Sequence, residues 1–344
     1  MTFRIHGQQA AVNLFDAGLK GRMHHAYLLS GPAHVGKTSL ATQFAQAVNC
    51  LVPDNAPCGE CGACIRIASN GHADVQTLAV DPESAEGPRT LIGIDAVRGL
   101  INSAQLRPYE GRMRVFIIQG ADVLSVDAAN ALLKVLEEPP PDVLILLLTD
   151  NPAGVLPTVK SRCQTVAMRP LPEGQVEELL QAEHGVGAEQ AHVTARLSRG
   201  CLGWAIEASR DPAVLAGVHQ RTEKIADVVE SGLEVRLAYA DDLARRFQRD
   251  RAPAREELFL WLRWLRDLLL IQQGQNNTVA NVSWQDTLER QARALTPHQT
   301  VRWLNQITET LEYLDRNANG RLVLDMLMLE SPRLEVAGTP SPLA

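Results

Sequence analysis

Between residues 26 and 149 the chain alternates short, unbroken apolar runs with longer stretches of helical period. AYLLS (26–30), VFII (115–118) and VLILLLT (143–149) lack polar alternation, so each predicts a strand buried on both faces. DVQTLAV (74–80) predicts a further strand. SLATQFAQAV repeats Leu40, Phe44 and Val48 at helical spacing. Helices are also predicted over 94–106 and from Asp127 to Glu138, the latter stopped by Pro139, Pro140 and Pro141. Residues 81–93, rich in Pro, Gly and charge, predict a loop. Strands separated by helices imply an α/β module, a parallel sheet with helices on both faces, over residues 1–169. Beyond Pro170 only helical patterns remain, broken by Gly, Pro and Asn. A small helical unit fits 170–211, and Asp211–Pro212 marks the next boundary. Residues 212–336 read as all-helical, with Trp261, Trp264, Leu265, Leu268 and Leu269 on one stripe, and 337–344 as a disordered tail.

Composition narrows the function. A chain of 344 residues exceeds one ordinary core. Its formal net charge of -7, from 33 basic and 40 acidic residues, makes it a poor candidate for free-standing DNA binding, which needs a dominant basic field. The N-terminus has no signal-peptide core, and the apolar run at 143–148 is too short to cross a bilayer. The expected location is the cytoplasm, without a membrane partner.

Candidate chemistry begins with GPAHVGKT, which matches G-x-x-x-x-G-K-[ST] and lies between a predicted strand and helix. Backbone N–H groups of Gly31, Ala33, His34, Val35 and Gly36, with Pro32 as part of the loop's turn, would surround a phosphate chain. Lys37 would neutralise the β- and γ-phosphates, Thr38 would ligate magnesium, and Ser39 continues the helix start. The expected ligand is ATP or ADP with Mg2+. Hydrolysis needs one acid to hold the metal and another to orient water, where the following strand ends. That place holds Gln119 and Gly120; Asp122 lies further on and reads as a solvated loop acid. Binding is expected and hydrolysis is not.

Cys50, Cys58, Cys61 and Cys64 give C-x7-C-x2-C-x2-C. Four thiolates at such spacing predict a closed, structural Zn2+ site, with an iron–sulfur cluster as the alternative. Cys163 and Cys201 stand alone and read as ordinary buried cysteines. Arg162, in the run SRC, could reach a neighbour's γ-phosphate, although spacing alone favours a surface salt bridge.

Several long runs carry a family resemblance. HHAYLLSGPAHVGKTSLATQFAQAVNC, the cysteines after it, LRPYEGRMRVFII, NALLKVLEEPP and LPTVKSRC resemble, in order, the ATPase module of bacterial clamp-loader subunits. DRNANGRLVLDMLMLESPRL resembles the closing helix of the delta-prime type within DNA polymerase III. The resemblance covers nearly the whole chain. It implies an AAA+ P-loop module, a three-helix lid and an all-α collar that oligomerises with gamma/tau and delta subunits. It implies a role in loading the sliding clamp on primed DNA, at the replisome on the nucleoid, within a DNA-directed DNA polymerase holoenzyme. Gamma/tau subunits carry Asp-Glu where this chain has Gln119 and Gly120, and a lid arginine where it has Gly203. Loss of both, with SRC intact, is the pattern of a non-hydrolysing stator that offers Arg162 in trans as an arginine finger. Some delta-prime chains have a degraded phosphate loop, whereas this one is complete. The alternatives are an active gamma/tau-type ATPase relying on Asp122, and a nucleotide-dependent DNA-repair factor.

Overall fold

The fold is described from a computed structural model, which covers residues 3–80, 91–315, 318–332 and 334. The predicted loop at 81–93 lies mostly, and the tail at 337–344 wholly, outside the described residues. In chain order the N-terminal elements are α1 (Gln9–Ala17), β1 (Ala26–Ser30), α2 (Lys37–Asn49), α3 (Gly62–Ala68), β2 (Val75–Leu78), α4 (Ile94–Ala104) and β3 (Arg114–Gln119). They continue with α5 (Val126–Glu137), β4 (Val143–Thr149), α6 (Pro157–Lys160) and β5 (Gln164–Ala167). Helices α7 (Glu173–His184), α8 (Ala188–Ser198) and α9 (Leu202–Arg210) follow. The chain divides into two compact units, Met1–Ser209 and Arg210–Ala344.

In the first unit the strands form one parallel sheet in the order β2-β3-β4-β1-β5. Every residue of β1 and β4 is buried, as unbroken apolar runs require. Successive side chains point to opposite faces. Tyr27, Leu29, Ile117, Leu144 and Leu146 therefore join Phe15, Leu40 and Phe44 on one side. Leu28, Phe116, Ile118, Ile145 and Leu147 join Val97, Leu100 and Leu132 on the other. The Ser125 hydroxyl caps α5 by accepting from the Ala128 N–H at 3.2 Å. This layering is the α/β class expected from the sequence.

Helix α3, strand β5 and helix α1 were not foreseen. In β5 only Val166 is buried, so QTVA carries no apolar run to announce an edge strand. Helix α1 buries only Ala11 and Phe15. Among the described residues no strand follows Pro170. Helices α7 to α9 close a small apolar cluster of Leu171, Val176, Leu180, Ala191, Ala195 and Ala205.

The second unit contains α10 (Pro212–Glu230), α11 (Leu233–Arg249), α12 (Arg251–Gln272), α13 (Gln285–Ala294), α14 (Pro297–Asp315) and α15 (Gly320–Glu330). The expected stripe on α12 is buried at Trp261, Trp264, Leu265 and Leu268, with Leu269 half-buried. The same helix also buries Glu257, which accepts from Tyr239 Oη at 2.5 Å and pairs with Arg246. That neighbouring carboxylate acts together with burial to push the Tyr239 hydroxyl well above its ordinary pKa, burial being the larger cause.

Candidate functional site

The phosphate loop runs from the end of β1 to the first turn of α2. Its Gly31 N–H donates to Thr149 O at 3.2 Å, fixing the loop beside the end of β4. Val35 and Lys37 are buried, Gly31, Ala33 and Gly36 half-buried, and Pro32, His34, Thr38 and Ser39 exposed. The Thr38 hydroxyl therefore faces solvent at the start of a helix of 13 residues. Free N–H groups at such a terminus, with an ammonium beside them, suit a phosphate chain. The Lys37 Nζ donates to Gly31 O and Pro32 O, each at 2.7 Å, and pairs with Asp150 Oδ1 at 2.5 Å.

The expected place for the two acids follows β3. Gln119 is half-buried at the strand end. Gly120 has φ +85°, a left-handed conformation that would strain an aspartate or glutamate there. Asp122 is not the solvated acid the sequence suggests. It is half-buried, and its Oδ1 accepts from Thr149 Oγ1 at 2.6 Å.

At the start of α9, the Gly203 N–H donates to His34 O at 3.0 Å. A Cβ on Gly203 would lie 2.7 Å from that oxygen, so the helix approaches the phosphate loop at a distance that admits no side chain. Farther along, the α6 turn presents Arg162. Its Nη2 pairs with Glu137 Oε1 at 2.7 Å, while Nη1 donates to Thr158 O at 3.0 Å and Ser161 Oγ at 3.2 Å. The salt-bridge geometry expected from spacing is present, and it holds the guanidinium half-exposed at the surface.

The four clustered cysteines meet although Cys50 is eight residues from Cys58. Sulfur separations are 3.6 Å for Cys50–Cys58, 4.0 Å for Cys50–Cys61 and 3.9 Å for Cys58–Cys64, and all four sulfurs lie within 4.8 Å of one another. A tetrahedron with Zn–S bonds of about 2.3 Å has edges of about 3.8 Å. The group could thus hold one metal ion such as zinc. Backbone N–H groups of Val52, Cys61 and Cys64 point at the sulfurs of Cys50, Cys58 and Cys61. Burial works against the Cys61 thiolate, but N–H donors from Cys64 and Leu51 and the neighbouring thiols outweigh it and bring Cys61 to about 6. Burial instead sends Cys64 up to about 12. Away from this cluster, burial pushes half-buried Cys163 up to about 12 and raises buried Cys201.

Asp150 and Glu137 were not anticipated as partners of Lys37 and Arg162. A signal existed for Asp150: it directly follows β4, at the carboxyl edge of a parallel sheet, where such folds bind ligands.

Residues 7–172 match the family described as "DNA polymerase III, delta subunit". The chain is 40% identical over 186 residues to the DNA polymerase III subunit delta' of Pseudomonas aeruginosa, a match covering 53% of this chain and 55% of that protein. It thus spans about half the length of that relative. Identity to subunit delta' of Bacillus subtilis is 28% over 316 residues, covering 92% of this chain and 93% of the relative. Subunit tau of Escherichia coli is 36% identical over 220 residues, covering 62% of this chain and 33% of its own length. Among solved structures, a DNA polymerase III gamma subunit-related protein of Thermotoga maritima overlays with a TM-score of 0.41 at 20% identity, covering 93% of this chain and 97% of that one.

Proposed function

With residues 7–172 matching the family described as "DNA polymerase III, delta subunit", we propose that the chain is the delta-prime-type stator of a bacterial clamp loader. It binds nucleotide without hydrolysing it and offers Arg162 to the ATP site of a neighbouring subunit. The observation that carries this reading is a complete phosphate loop beside a strand that ends in Gln119 and left-handed Gly120. The loop and Lys37 supply a seat for phosphates, while no carboxylate stands at the strand end to hold magnesium or orient water. Asp122, tied to Thr149, is already engaged elsewhere.

The partners are gamma/tau and delta subunits, met through the helices of residues 212–336, and through the assembly a sliding clamp and primed DNA. Residues 170–211 serve as the lid of the 1–169 module. The cysteine group holds structural Zn2+: edges of 3.6 to 4.0 Å suit one ion rather than a cluster whose thiolates bind separate irons. No helix among the described residues is long and apolar enough to cross a membrane, and we place the protein in the cytoplasm, at the replisome.

The test uses the chain assembled with its own gamma/tau and delta subunits. Arg162→Ala is expected to leave assembly intact and to silence one ATP site, at which a finger contributes about 10³–10⁵ in rate. Turnover then falls by that site's share, because other sites keep their own fingers. Arg162→Lys restores little, since an ammonium lacks the planar fork that grips two phosphate oxygens. Wild-type turnover in the Arg162→Ala assembly removes the finger. ATP turnover by the isolated chain, abolished by Asp122→Ala, would replace the stator with the gamma/tau-type reading.

A further inference from the structure

The ammonium of Lys37 has three donors, and all three are taken. Two go to Gly31 O and Pro32 O of the loop itself, each at 2.7 Å. The third goes to Asp150 Oδ1 at 2.5 Å. The two partners differ in their surroundings: the lysine side chain is 7% exposed, while that of Asp150 is 54% exposed. Asp150 therefore reaches Nζ from the open side of the loop. In a phosphate loop of this sequence the lysine is the contact for the β- and γ-phosphates, and the backbone N–H groups hold the α- and β-phosphates. The carboxylate therefore competes with a terminal phosphate for the Lys37 ammonium.

The rest of the neighbourhood adds to this bias. Gln119 and Gly120 put no metal-binding acid at the end of β3, so a triphosphate finds less support for the magnesium that would offset its charge. Asp122 places a second carboxylate at the end of β4, bonded to the hydroxyl of Thr149, the residue directly before Asp150. A triphosphate must displace Asp150 from Lys37 and leave that carboxylate unpaired beside one more negative charge. A diphosphate asks Lys37 for one contact, to its β-phosphate, which a donor now on a loop carbonyl can supply while the Lys37–Asp150 pair stays closed.

We infer that Asp150 is a specificity-determining residue that makes this loop a site for nucleoside diphosphates and disfavours triphosphates. The inference rests on the reading of Gly31–Thr38 as a nucleotide site and names the ligand class of that site. It gives the complete loop a use that needs no hydrolysis: a bound diphosphate that stays while neighbouring subunits turn over.

The experiment titrates the full chain with ADP and with ATP, each with Mg2+, by calorimetry. Wild type is expected to bind ADP at least about tenfold more tightly than ATP, a difference of about 1.4 kcal/mol. Asp150→Asn keeps the size of the side chain and removes its charge. It is expected to tighten ATP binding about tenfold and to change ADP binding less than about threefold, so that the preference collapses. Asp150→Ala is expected to do the same, and thermal melting of both variants confirms that they are folded. Equal affinities of wild type for ADP and ATP overturn the inference, as does an ADP preference that persists in both variants; the nucleotide reading survives either result if Lys37→Ala abolishes binding. Absence of binding by every form, or binding indifferent to Lys37→Ala, overturns the nucleotide reading and the inference together.

Discussion

Helix α9 meets the phosphate loop through a residue with no side chain. Gly203 sets its N–H on His34 O at 3.0 Å, and a Cβ would meet the same oxygen at 2.7 Å. Elsewhere in a helix, exchanging glycine for alanine stabilises, because it restricts the unfolded chain and improves helix propensity by up to about 1 kcal/mol. Here the neighbour is backbone and has to move, which costs about 1–3 kcal/mol. Gly203→Ala is expected to lower the denaturant midpoint, whereas Gly217→Ala on α10, where a Cβ meets nothing within 4 Å, is expected to raise it. A gain in stability from Gly203→Ala would show that the contact is loose. An arginine at 203, as the gamma/tau resemblance places one nearby, is incompatible with this approach. The sequence identifies the missing arginine; the contact that replaces it depends on tertiary placement alone.

Among the elements, β2 and β3 are joined to the preceding turn by one buried acid. Asp74 accepts from the N–H groups of Tyr109, Glu110 and Gly111 at 2.7, 2.8 and 2.7 Å, and pairs with Arg114 Nη2 at 3.2 Å. Burial raises its pKa, but the three N–H donors and Arg114 outweigh burial and leave it below the ordinary aspartate value. A depressed folded pKa means the stabilisation is fully present above the unfolded value of about 3.9 and is lost as pH falls through the folded one. Asp74→Asn should cost about 3 kcal/mol at pH 7, with Arg114 left uncompensated. Denaturant unfolding at pH 7 and near pH 3 checks the sign: the gap between wild type and variant narrows in acid, and a constant gap refutes the linkage. Local signals had located these strands and helices because apolar runs and proline stops are contiguous in sequence. They were silent on β5, an edge strand with one buried residue, and on Asp74, Asp150 and Glu137, whose partners lie 25 or more residues away. The four cysteines and the phosphate loop were legible for the opposite reason: each set of groups lies within a short span.

At the scale of the molecule, each unit has its own core, one layered on a sheet and the other built around Trp261, Trp264 and Trp303. Within the first unit, α2 begins at Lys37 of the phosphate-loop motif and ends one residue before the first clustered cysteine. Its 13 residues make a rod of about 20 Å. The far end is clamped by Arg112, whose side chain donates to Ala47 O, Val48 O and Cys50 O, and by Asn49 Oδ1, which accepts from the N–H groups of Arg112 and Met113. Whatever loosens the cysteine end frees the same rod at its phosphate end. If the proposed metal and nucleotide both bind, they are expected to be thermodynamically linked through one helix, and linkage is reciprocal: each ligand tightens the other by the same factor, of order 5–10. Metal analysis should find one zinc per chain. Stripping it with a chelator should weaken ADP binding by that factor, and saturating ADP should raise the chelator concentration needed for half-removal by the same amount. If either ligand leaves the other's affinity unchanged, the helix does not couple them. If both respond, the metal is an effector of the nucleotide site, and a cell starved of it would feel the loss as a change in nucleotide affinity.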